Sequence, residues 1–214
     1  MNHDTEDRLS GGLILAAVLA ALVLMLHHPT SFKGPDDGLL LADWSNTVVH
    51  GAMMACLFLL RFAFGSWARR LGMEHASVRA GSLAFDCGMA AFIAAALVSG
   101  FAAGGLLAQA GYSDEVRSAL AALGALNRAL ANLGMALTVA AMALWAIRMM
   151  RMSGLPRIAG ALGLAIAAAA LGWLVVRQGA FGLYPAMTST VLFGAWSILV
   201  ASRMMGGQPK ETDQ

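Results

Sequence analysis

Six apolar stretches constrain this chain more than any other feature, because each approaches the ~20 residues a helix needs to cross the hydrocarbon of a bilayer. They cover residues 9–28, 47–66, 82–107, 129–149, 158–177 and 181–202. The composition agrees: 59% of the 214 residues are hydrophobic and 12% are charged, where a soluble domain carries roughly 25%. So few charges cannot cover a water-facing surface, and a lipid-facing one needs none. The expected fold class is an all-α, polytopic membrane protein, about six transmembrane helices in one bundle. Residues 1–8 form a tail, 9–203 the six-helix domain and 204–214 a second tail.

Punctuation falls between the stretches. His27-His28-Pro29-Thr30 stops the first, and Lys33-Gly-Pro-Asp-Asp-Gly38 makes a turn in which Asp36 and Asp37 can cap an early start to the second. Arg69-Arg70-Leu-Gly72, Gly111-Tyr-Ser-Asp-Glu115, Ser153-Gly-Leu-Pro-Arg157 and Gln178-Gly-Ala-Phe-Gly182 make the remaining breaks. Residues 113–128 are less apolar but helical in pattern, with a start at Ser113 and apolar positions at Val116, Leu120, Leu123 and Leu126. They read as a surface-lying segment running into the fourth span, with a long tilted helix as the alternative.

The basic residues fix an orientation. Arg8, Arg61, Arg69, Arg70, Arg79, Arg148, Arg151, Arg157, Arg203 and Lys210 fall on one side, against Lys33, Arg117, Arg128 and Arg177 on the other. Both termini are therefore expected in the cytoplasm, as in a multi-pass protein of a bacterial inner membrane. The acidic start, Met1 to Arg8, lacks the basic region of a signal peptide, so the first stretch reads as a retained span. Trp67, Trp145 and Trp173 stand near span ends, where indoles favour the interface. Gly100-Phe-Ala-Ala-Gly104 is a GxxxG that predicts a close helix contact, and no similarity between halves signals an inverted repeat.

Several chemistries lack their motifs. A net charge of +2 without a basic patch gives no nucleic-acid surface. Neither a phosphate-cradling glycine loop nor a nucleophile elbow is present, and hydroxyls such as Ser99 and Thr188-Ser189-Thr190 suit helix–helix bonding. Cys56 and Cys87 sit singly in apolar runs, without a CxxC pair.

The polar residues that remain gather at the non-cytoplasmic end. His27 and His28 close the first span, while Asp43, Asn46 and His50 lead into the second at i, i+3, i+7. They share a face if a helix already exists at residue 43. With Met25, Met53 and Met54 nearby, these histidines could hold copper or zinc, since imidazole binds both and thioether favours Cu(I). Haem is a further use of the same pair. The plainer reading makes each histidine a helix-end residue favoured by the dipole and each methionine a packing group. Asn127, Arg128 and Asn132 start the fourth span, Arg177 and Gln178 end the fifth, and Tyr184 and Pro185 begin the sixth. The arginines could bind an anion, pair with Asp43 or snorkel to lipid headgroups. Asp86, about one turn into the third span, is expected to pair with Arg61 of the second and pin the two together, or else to couple protons.

Three functions remain open on the sequence: an outward-facing polar vestibule that binds or transports a small solute or metal ion; a membrane-embedded metal- or haem-dependent redox enzyme; and a non-catalytic scaffold. Partners would be the lipid bilayer and either a second copy or another membrane subunit.

Overall fold

The computed structural model describes residues 3–28, 45–110, 113–176 and 183–206. Every regular element among them is helical: α1 His3–Leu26, α2 Asn46–Leu71, α3 Ala76–Leu97, a π-helical segment Val98–Ala103, α4 Gly104–Ala110, α5 Asp114–Met149, α6 Leu155–Val176 and α7 Leu183–Met205. Among the described residues, α1, α2, the run Ala76–Gln109, α5 and α6 are long and apolar enough to cross a bilayer. At 23 residues α7 has the length for a sixth crossing.

The helices stand in a closed ring in chain order, each packed on its two neighbours, with α7 returning to α1. Short connections make successive helices antiparallel, so the ends sort into two sets. At the arginine end, Glu6 and Asp7 of α1 pair with Arg69 and Arg70 of α2. Ser10 Oγ donates to Ser66 Oγ at 2.9 Å, and Arg148 Nε donates to the final carbonyl of α2, Leu71 O, at 3.1 Å. The histidine end lies opposite.

Missing side chains set the closest approaches. A Cβ on Gly81 would meet Trp145 at 2.8 Å and one on Gly134 would meet Phe92 at 2.8 Å, while Gly88 faces Thr138. Small residues therefore let α3 and α5 run side by side. Gly11 serves the α1–α7 seam against Met205 and Ala201.

The arginine half of the ring has a solid centre. Phe64 stacks on Trp145 and on Trp196, each at 5.6 Å between ring centroids, and Phe85 and Phe193 complete the cluster. Trp145 Nε1 donates to Val78 O at 3.3 Å and Trp196 Nε1 to Ala159 O at 3.0 Å. Trp67 and Trp145 are thus core residues, 0% and 1% exposed, and not the interfacial anchors their span-end positions suggested. A carbonyl within the bundle satisfies the Trp145 indole as well as headgroup water would. Trp173 alone of the three is exposed, at 41%.

One other expectation changes. Residues 113–128 do not form a separate surface-lying segment: α5 is one unbroken helix of 36 residues, about 54 Å long, as the alternative had it. Ser113 starts it, its Oγ accepting from Val116 N. Among the described residues the second helix begins at Asn46, with Ser45 in the cap position, and the expected place of Asp43 on the His50 face falls outside the described residues.

Candidate functional site

The histidine half of the ring is hollow. A cavity of about 290 Å³ lies between α1, α2, α3, α5 and α7, floored by Leu60, Thr138 and Phe193 above the aromatic cluster. Its wall is mostly aliphatic and aromatic, so the polar vestibule expected from the sequence corresponds only to its histidine end. Four methionines reach it, Met25, Met53, Met89 and Met135, together with His28, His50 and Asn127.

A local break in helix geometry positions His50. In the π-helical segment Val98–Ala103 the backbone is underwound, so carbonyls leave the regular ladder and need other donors. The first turn of α2 supplies them: Asn46 Nδ2 donates to Ser99 O at 2.9 Å and Thr47 Oγ1 to Gly100 O at 3.1 Å. Gly100 then lets α3 close on α2, since a Cβ there would lie 2.4 Å from His50 Cβ. Half of the GxxxG is used in this way; Gly104 meets nothing within 4 Å.

His50 is buried, and its Nδ1 stands 2.8 Å from Asn46 O. A carbonyl only accepts, so Nδ1 carries the proton and Nε2 keeps its lone pair. Its neighbour is His28, with ring centroids 4.9 Å apart and planes at 65°. Of the two histidines that end α1, only His28 lines the cavity; His27 sits on the last turn, its N–H bonded to Val23 O.

The other candidates scatter. Asn46 acts behind His50, holding the π segment and fixing the imidazole tautomer. Arg128 is exposed on α5, lying along its own helix beside Gly124, while its neighbour Asn127 faces the cavity. Asn132 is half-buried on the same helix and is not among the cavity-lining residues. Asp43, Arg177 and Gln178 lie outside the described residues, and Tyr184 and Pro185 fall in the first turn of α7. Asp86 Oδ2 meets Arg61 Nη2 at 2.8 Å. It lies ten residues past the start of α3, about 15 Å along the helix axis.

A second cavity of about 250 Å³ opens between α5, α6 and α7, beside Trp173, Ile166 and Leu192. It shares Met135, Thr138, Ser189 and Phe193 with the central one. Thr138 is 6% exposed, and its Oγ1 has no hydrogen-bond partner among the described residues. Sequence reasoning passed over Thr138, Met89 and Met135, because a single hydroxyl or thioether in an apolar span looks the same whether it packs or lines a void.

Metal chemistry is narrowed by these contacts. Among the described residues no three His, Cys, Asp or Glu side chains gather as a metal group, which leaves a structural zinc short of donors. Axial imidazoles on opposite faces of a haem have ring centres about 6 Å apart with the macrocycle between them. The His28–His50 spacing is too short for that. No protein-family model matches the chain, and neither a curated protein nor a solved structure shows significant similarity to it.

Proposed function

We propose that this is a multi-pass membrane protein, both termini cytoplasmic, that draws an apolar small molecule bearing one hydrogen-bonding group from the bilayer into its central cavity. The observation that carries this reading is the central cavity itself: about 290 Å³ of space walled by aliphatic and aromatic side chains, with the polar groups of His28, His50 and Asn127 among its lining residues. A ligand's one polar group finds its hydrogen-bond partner among those side chains. The apolar walls suit the ligand's body, and the second cavity, between α6 and α7, gives a sideways route from lipid. The arginine end, packed solid with aromatic rings, offers no through-path, so the reading is one of binding and not of a pore.

Photolabelling tests it. The full chain in lipid nanodiscs is irradiated with 1-azidoanthracene and the adducts are mapped by peptide mass spectrometry. Saturable adducts on segments 131–138 and 189–193, competed by excess 1-aminoanthracene, are expected. Labelling spread over outward-facing residues such as Phe58 and Leu83, without competition, would sink the reading. Thr138→Val should raise thermal stability by removing an unmet polar group, and Ala131→Leu, which narrows the cavity, should weaken saturable labelling.

A further inference from the structure

Two methionine–histidine pairs face each other at the histidine end of the cavity. On α1, Met25 and His28 are three residues apart; on α2, His50 and Met53 have the same spacing. Residues three apart on a helix share a face, and the final turn of α1 keeps that relation through the bond from His28 N to Met25 O. All four residues line the same cavity. We propose that Met25, His28, His50 and Met53 form a binding site for Cu(I).

The spacing of the rings suits one ion. With imidazole nitrogens ~2.0–2.1 Å from a metal, a ring centre stands about 3.2 Å from it. Two centres 4.9 Å apart then subtend about 100° at a shared ion, near the tetrahedral angle. His50 is prepared for the role: Nδ1–H is committed to Asn46 O, which fixes the ring and leaves Nε2 as the donor atom, the arrangement common to ligating histidines. Two thioethers complete four positions and select a soft ion over zinc, magnesium or calcium. Charge points the same way. The four donors are neutral and the surrounding wall is apolar, so the ion keeps its full charge in a poorly polarisable setting. A monovalent cation is far less costly there than a divalent one. The inference does not rest on the reading of an apolar ligand in this cavity, and its test uses the metal alone.

The full chain in nanodiscs is titrated anaerobically with Cu(I) in competition with bicinchoninate. One Cu(I) per chain is expected, with nitrogen and sulfur scatterers in the X-ray absorption spectrum. Met25→Leu combined with Met53→Leu should weaken retention by ~10-fold or more. Leucine nearly conserves the volume, so thermal unfolding of this double variant should stay close to that of the parent. Met73→Leu, at the arginine end, should bind as the parent does. Failure of the parent to take Cu(I) from bicinchoninate, undiminished binding by the double variant, or equal preference for Zn(II) would each overturn the site. The histidines would then be an edge-to-face packing pair.

Discussion

Gly100 shows how much of the histidine end depends on one absent methyl group. Its hydrogen occupies the space in which a Cβ would lie 2.4 Å from His50 Cβ and 2.8 Å from its Cγ. The His50 ring is held on its other side by Asn46 O, so it cannot step aside without losing a hydrogen bond. Gly100→Ala should therefore lower stability by about 1–3 kcal/mol, the usual cost of overpacking. Gly104→Ala, four residues on with nothing within 4 Å, should leave stability unchanged or raise it by up to ~1 kcal/mol through helix propensity. Thermal unfolding of the two variants in one detergent checks the contrast; equal effects would mean that Gly100 is not a contact point. The GxxxG pattern marks both glycines alike. Which of them touches a neighbour is decided by the π segment, and a π segment leaves no periodic trace in the sequence.

At the scale of elements, the pair Arg61–Asp86 stands out because of where it lies. Its side chains are 50% and 42% exposed, on the outward face that also presents Phe58, Phe62 and Leu83. In water such a pair would contribute little. On the proposed reading of α2 and α3 as bilayer-spanning helices, the alternative to pairing is an isolated guanidinium facing hydrocarbon, costing ~2.5–3.5 kcal/mol even on the most lenient scale. Asp86→Asn should thus destabilise the protein in nanodiscs, while Arg61→Leu combined with Asp86→Leu should recover most of the loss. A double variant as unstable as Asp86→Asn would show that the two charges act separately. The sequence suggests the partners but not the full extent of the helix that carries Asp86, because residues 76–81 are polar enough to read as loop. They are helical because Arg79 Nη1 donates back to Met73 O and Glu74 O, closing the turn before α3. Likewise α5 runs unbroken through 114–128, since no proline interrupts it and α4 lies alongside. Both cases share a cause: helix extent follows from hydrogen bonds and neighbours that a count of apolar residues does not see.

For the whole molecule, the antiparallel ring puts the α2–α3 turn and the start of α5 at opposite ends, and the proposed orientation places the first inside. With the native cysteines replaced, Glu74→Cys should resist a membrane-impermeant maleimide in intact cells and react after permeabilisation, while Glu115→Cys should react at once. Equal accessibility of the two would contradict the alternation of crossings. The ring is also uneven along its axis, with stacked indole and phenyl rings filling one half and a void in the other. A larger side chain at Ala95, Ala96 or Ala131, all on its wall, would fill space that the bundle leaves open, and closer packing raises stability. The two halves should therefore answer differently to heat: the aromatic plug is the stiff end of the bundle, and the hollow is the end at which added side-chain volume would raise the unfolding temperature.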